Sequence, residues 1–247
     1  MIQTSDIREI GQEIARSLSY SRVRGYSAYV ATPLLYPNGS GVLVRIDEHP
    51  SGFHVSDNGA GAHLADMMGG LATYSRIAAS VAERAGILFE ERTFFAHVTD
   101  RDRLTAAATA VANATARAAD RMAQSLEQFK SKRSRELFDE RLRAAFGDAI
   151  AFDVTIRGGT GRPWDYDASV QESDSLRLFT FVGPAFAAVA TANIKIADTL
   201  ALASPPAVTA VLADYGRTEP ALRRILSDTG SIVIGASDSV ESYRLSH

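Results

Sequence analysis

The stretch "AIAFDVTIRGGTGRPWDYDASVQ", residues 149–171, decides how the C-terminal half of the chain is read. Two β-rich runs flank a turn built from Gly159, Gly161 and Pro163, and this pattern reads as a hairpin. Working outward, "ELFDERLRAAFG" (136–147) is an amphipathic helix closed by a glycine, and "LRLFTFVG" (176–183) is a third strand. "PAFAAVATANIKIADTLALA" (184–203) follows as a helix with Pro184 in its first turn, where the missing N–H costs nothing. "AVTAVLADYG", "TEPALRRILSDTG" and "SIVIGASD" then read as strand, helix and strand. The order αβββαβαβ predicts a mixed sheet with helices on both faces over residues 134–247.

Toward the N-terminus, Ile7, Ile10, Ile14 and Leu18 recur at helical spacing. "YSAYVATPLLYPNGSG", "GVLVRIDEH" and "GFHVSDNGAG" are short, β-rich and bounded by Pro, Asn or Gly, which predicts a three-strand antiparallel meander. "HLADMMGGL" and "TYSRIAASVAERAGI" read as helices, the second ended by Gly86, and "RTFFAHVT" as a returning strand. Residues 1–100 thus form a small α+β module. No Gly or Pro occurs between Gly86 and Gly147. Leu104, Ala108, Val111, Thr115, Ala118, Met122 and Phe129 keep close to an a/d rhythm on an alanine-rich helical connector, residues 101–133. The rhythm suits an interior helix packed on its own sheet, the preferred reading, or the seam of a homodimer. The basic run "KSKRSRE" (130–136) lies between two helical patterns, where a domain junction is expected. Lys130, Lys132, Arg133 and Arg135 are candidate phosphate contacts, against the alternative of a solvated face.

Composition excludes several chemistries. The chain has 247 residues, 46% hydrophobic, with a net charge of −3, so no global attraction to nucleic acid or membrane is present. Cysteine is absent, which removes disulfides, thiolate zinc sites and cysteine nucleophiles and fits a reducing compartment. The N-terminus reads as no signal peptide, and no apolar run is long enough to span a bilayer. A cytoplasmic protein without a membrane partner is expected. There is no G-x-S-x-G elbow, kinase signature or Rossmann fingerprint.

Three constellations could carry chemistry. Asp165 and Asp167 stand two apart on a strand, so strict alternation puts them on one face, and Asp153 on the neighbouring strand could join them around a divalent metal. The same acids could simply face water, or Asp167 could pair with Arg162 or Arg157. "GGTGRP" could cradle an anion with its backbone amides, although a hairpin turn needing positive φ explains it as well. "HVSDNGAGAHLAD" holds His54, Asp57, Asn58, His63 and Asp66, which could bind a ligand or do acid–base work, while its turn needs Asp57 and Asn58 for local hydrogen bonds.

The αβββαβαβ order resembles the restriction-endonuclease-like superfamily, named for its PD-(D/E)XK motif. The likeness covers about residues 134–237. It implies that Asp165 and Asp167 match the metal-binding acid of the second strand. The third strand, "SLRLFTFV", departs from the pattern: it has no acid-x-Lys triplet, and Ser175 and Arg177 are the nearest substitutes. Arg does not readily transfer protons. Lys195, on the following helix, could stand in for the lysine. The whole chain also resembles a pair of uncharacterised bacterial and phage domains, on "VSDNGAG" for a "DDG"-like turn and "RGGTGRPWDYD" for a Gly-rich hairpin. These resemblances imply a non-catalytic, degenerate nuclease-like protein that binds a protein or nucleic-acid partner in bacterial or phage conflict, with no cofactor. The alternatives are an active nuclease using Mg²⁺ with Asp153, Asp165, Asp167 and Lys195, and a small-ligand or nucleotide sensor with the "SDNG" turn beside a pocket.

Overall fold

A computed structural model describes residues 4–172 and 175–244. The fold is mixed α+β, with two sheets and a long helix. The chain divides into two compact units between Gln128 and Phe129.

In the N-terminal unit, helix α1 (Thr4–Ser17) precedes a six-stranded antiparallel sheet of β1 (Tyr20–Arg24), β2 (Ser27–Leu35), β3 (Gly41–His49), β4 (Gly52–Ser56), β5 (Leu88–Glu90) and β6 (Thr93–Val98). The spatial order is β1-β2-β3-β4-β6-β5. The meander expected from the turns is therefore one strand longer. β1 escaped the sequence reading because all five of its residues are exposed and "YSRVR" has no buried alternation. One face of the sheet is apolar: Val42, Val44, Val55 and Phe94 are fully buried on it. They pack against α2 (Ala60–Met67), α3 (Leu71–Ala85) and the start of α4 (Leu104–Phe146). The Ala-rich rhythm of α4 supplies this core: Val111, Thr115, Ala118 and Met122 are fully buried, with Leu104 and Ala108 partly so. The stripe that could have formed a dimer seam is thus used inside the unit, and only Phe129, 69% exposed, stands outside it.

The sequence suggested two helices separated by a junction at the basic run. The structure has one α4 of 43 residues, and the basic run lies within it. With no Gly or Pro to stop it, the helix continues, and its charges pair along its own surface. Lys132 lies 3.9 Å from Glu136, Arg133 3.6 Å from Glu136, and Arg135 3.5 Å from Asp139, the i,i+3 and i,i+4 spacings that favour a helix.

In the C-terminal unit a five-stranded sheet has the order β11-β10-β9-β8-β7. It comprises β7 (Ile150–Arg157), β8 (Pro163–Glu172), β9 (Ser175–Val182), β10 (Ala207–Leu212) and β11 (Ile232–Gly235). The first three strands are antiparallel and the last three parallel, the mixed sheet the sequence order implies. On one face, Val189, Ala192 and Ile196 of α5 (Phe186–Leu200) and Leu222 and Leu226 of α6 (Pro220–Asp228) cover Leu178, Val182 and Val208. On the other, Phe138 and Leu142 of α4 and Tyr243 of the short α7 (Val240–Arg244) cover Ala168, Phe179 and Val211.

The continuity of α4 has a direct test. Limited tryptic digestion of the native chain should cut slowly at Lys130, Lys132 and Arg133, because a protease needs an extended backbone. Rapid cleavage there, releasing two stable fragments, would show a linker in place of a helix.

Candidate functional site

The hairpin that motivated a metal site is built around a fork. β8 pairs with β9 from Glu172↔Ser175 to Ala168↔Phe179, and the register ends there. Residues 163–166 of β8 pair with β7 alone, and Asp167 falls in neither register. The pleat also changes face at this point. Val154, Trp164 and Tyr166 belong to the core under α5, whereas Phe152, Ala168 and Val170 belong to the core under α4. Residues two apart on both strands thus look to opposite sides, and between Phe152 and Val154 stands Asp153 with a left-handed φ of 53°. Asp is among the few residue types that tolerate this conformation. Strict alternation, on which the shared face of Asp165 and Asp167 was predicted, fails across such an irregularity.

Each acid is engaged separately. Asp167 forms an ion pair with Arg135 of α4 through one oxygen, and its other oxygen accepts the backbone N–H of Phe181 at 2.6 Å. The carboxylate takes the place of a missing ladder partner on β9. Asp165 accepts from the Thr155 hydroxyl at 2.7 Å on the opposite strand. Asp153 is exposed on β7. Among the described residues no group of three or more His, Cys, Asp or Glu side chains is placed to hold a metal ion. Of the three acids proposed as metal ligands, Asp167 already pairs with a guanidinium.

Lys195 does approach the acids, from α5 as the sequence placed it. Its Nζ donates to the Asp165 carbonyl at 2.8 Å and to the Thr180 hydroxyl at 2.7 Å, and lies 4.5 Å from the centre of the Tyr166 ring. The ammonium fills the gap where β8 and β9 part. Burial lowers its pKa, and the carboxylates of Asp167 and Asp165 oppose that shift. Arg177, the nearest third-strand substitute for a lysine, points elsewhere. It is 2% exposed, donates to the carbonyls of Tyr243 and Arg244 at 3.3 and 3.1 Å, and so holds α7.

The glycine turn does cradle an anion, and the anion is the chain's own Asp198. Its carboxylate accepts from the Thr160 N–H and hydroxyl, both at 2.9 Å, and from Trp164 Nε1 at 2.6 Å. Its backbone carbonyl accepts the Gly159 N–H at 2.8 Å. A Cβ on Gly158 would come within 2.1 Å of the carboxylate, so only glycine lets the turn and α5 approach this closely. The Trp164 hydrogen bond, then the Thr160 N–H, hold the carboxyl below its ordinary pKa. Arg162 stacks on Trp164, 4.3 Å from the ring centre, outside any ion pair with Asp167. In the basic run, Arg135 turns to Asp167, and Lys132 and Arg133 face glutamates of their own helix. Lys130 lies on the same helix near its exposed Phe129.

In the N-terminal unit, the "SDNG" turn is a buried knot. Asp57, 1% exposed, accepts from the N–H groups of Gly59, Gly61 and Phe94 at 3.1, 3.4 and 2.9 Å, and from the Thr115 hydroxyl at 2.7 Å. Thr115, on α4, also meets the hydroxyls of Tyr36 and Tyr74 at 3.1 and 3.3 Å. Burial raises the pKa of Asp57 despite these donors, and pushes Tyr36 up to about 12 and Tyr74 higher still. Asn58 adopts φ 52° and accepts from Arg45 Nη1 at 3.1 Å. His63 sits on α2, away from His54, which meets His97 of β6 with ring centres 5.0 Å apart. Sequence reasoning missed Thr115, Thr180 and Asp198. The first two are ordinary strand or helix threonines until their neighbours are known. Asp198 carried a signal, since a carboxylate one helix away is what a glycine-rich amide cradle needs.

No family model and no curated protein matches the chain. One solved structure does, the crystal structure of protein VC1899 from Vibrio cholerae, at 11% identity and a TM-score of 0.31. The match covers 74% of this chain and 52% of that one, so the chain spans about half of that neighbour's length, and at this similarity it carries no argument.

Two consequences can be measured. Thr115→Val strips one hydroxyl from three buried groups and should destabilise the N-terminal unit by about 1–3 kcal/mol in urea unfolding. The folded chain retains a proton on Asp57 that the unfolded chain gives up. Its contribution is therefore greatest below the ordinary Asp pKa of about 3.9 and is lost as pH rises through the raised value. The stability of the native chain relative to Asp57→Asn should accordingly fall as pH rises from acid to neutral.

Trp164 is the chain's one tryptophan, so its fluorescence reports on the Asp198 latch. Emission should change as pH falls below the ordinary Asp range, and Asp198→Asn should remove that transition. A transition unaltered in Asp198→Asn would place its origin elsewhere.

Proposed function

We propose that the protein is a non-catalytic, nuclease-like binding protein acting on a macromolecular partner. What supports this reading is the use to which the second-strand acids and the helix lysine are put. Metal-assisted phosphodiester hydrolysis needs carboxylates free to take a cation and a group able to help generate hydroxide. Here Asp167 is committed to Arg135 and the Phe181 N–H, and Lys195 to the Asp165 carbonyl and Thr180. Both groups close a gap between strands. Freeing Asp167 would leave the Phe181 N–H without its acceptor, and freeing Lys195 would leave the Asp165 carbonyl and the Thr180 hydroxyl without their donor, at a cost of about 1 kcal/mol each. The third strand offers Ser175 and Arg177 where an acid and a lysine would be required, and Arg177 is occupied on the other face. The partner is proposed to be a protein or nucleic acid of bacterial or phage conflict.

The purified protein should leave single- and double-stranded DNA and RNA intact in the presence of Mg²⁺ or Mn²⁺. Asp167→Asn and Lys195→Ala should lower the melting temperature without altering that inactivity. Metal-dependent cleavage that vanishes in Asp165→Asn, while surviving in Arg224→Ala on the exposed face of α6, would overturn the reading.

A further inference from the structure

The six-stranded sheet buries one face and leaves the other open. Strand register places the open-face residues in rows. One row runs Arg24, Ser27, Asp47, His54, His97 across β1, β2, β3, β4 and β6. The next runs Arg22, Tyr29, Arg45, Ser56, Phe95. Tyr20 stands at the end of β1 and Leu43 on β3, 61% and 43% exposed. Tyr20, Arg22, Arg24, Tyr29 and Leu43 line a shallow depression of about 300 Å³.

The face alternates flat rings with cations. Arg22 lies 5.8 Å from the centre of the Tyr20 ring, and the rings of His54, Phe95 and His97 cluster with centres 5.0 to 5.4 Å apart. Arg22 and Arg24 form no ion pair among the described residues. The face carries few acids. Asp47 is engaged by Arg45 at 2.9 Å and by the Ser27 hydroxyl, and Glu90 lies at the β5 edge. A chain of net charge −3 therefore concentrates unpaired positive charge and exposed rings on one sheet face. Rings on neighbouring strands, Tyr20 with Tyr29 beside Arg22 and Arg24, and His54 with His97, match a ligand whose flat bases are unstacked and whose backbone is anionic. A duplex hides its base faces in its own stack, and an acidic peptide has nothing to lay on Tyr20 and Tyr29.

We infer that the open face of the N-terminal sheet binds single-stranded nucleic acid, with Tyr20 and Tyr29 as stacking platforms and Arg22 and Arg24 as phosphate contacts. This rests on the binding reading above only in taking the partner to be macromolecular, and it names the partner and the surface.

The test uses the full chain, EDTA throughout, and a labelled oligothymidylate of about 16 nucleotides, the upper site size for such surfaces. Fluorescence anisotropy should show binding at low salt that weakens as salt rises. Tyr20→Ala should weaken it about 5- to 100-fold, the range for loss of one stacked base. The Arg22→Ala, Arg24→Ala pair should reduce the log–log salt slope by about 1.4, twice the value of about 0.7 per single-strand phosphate. Tyr20, Arg22 and Arg24 are exposed, so these variants should keep the native circular dichroism, and Tyr29→Phe, which keeps the ring, should bind as the parent does. Absence of binding at low salt would overturn the inference. So would binding unchanged by all these variants, or equal binding to a duplex or to polyglutamate. Cleavage is read separately with Mg²⁺, so an active C-terminal unit would sink the non-catalytic reading and leave the binding curves to decide this one.

Discussion

The C-terminal sheet depends on one substitution in its hydrogen bonding: a side-chain carboxylate replaces a strand. Where β8 leaves β9, the Phe181 N–H loses a backbone acceptor, and the Asp167 carboxylate supplies one. An unsatisfied amide within a sheet is costly, and at the fork that acid satisfies it. Arg135 then balances the acid's charge from α4, and Lys195 supplies donors to the other side of the gap. Helices on both faces are thereby tied to the same point in the sheet. The hairpin is a polar keystone whose charges hold the sheet and its helices together.

The N-terminal unit solves a similar problem with a similar device. Asp57 gathers the amides of a tight turn and of a neighbouring strand, and Thr115 links it to two tyrosine hydroxyls in the core. A Cβ on Gly61 would sit 2.1 Å from the Tyr74 hydroxyl, so the turn is held tightly enough to exclude even a methyl group. Asp57 is a buried acid with nearly every lone pair used, the condition under which interior polar groups specify a unique arrangement.

Much of this was legible in the sequence. Helices ended where glycines stood, as at Gly86 with φ 65°, and the order of elements from 136 onward followed from their periodicity. Lys195 belonged to a helix because an apolar rhythm surrounded it. What could not be read is what depends on neighbours distant in sequence. The pairing of Asp167 with Arg135 spans 32 residues, and that of Asp57 with Thr115 spans 58. The basic run looked like a junction because its counter-charges, Glu136, Asp139 and Glu140, were counted as part of the next element when they belonged to the same helix. The open face of the sheet was hidden for a simpler reason: each strand donates two or three of its residues, and only register brings them into rows.

The kink at Asp153 has a further effect on how the molecule behaves in a crowded solution. β7 is an edge strand, with one side of its backbone turned away from the sheet. A straight edge of alternating residues is a template on which another chain can add a strand and begin a fibril. The left-handed residue in the middle of β7 interrupts that template, and the exposed charges of Asp153 and Arg157 oppose a close approach. The irregularity that breaks the alternation of β7 and β8 thus also guards the outer edge of the sheet against strand addition.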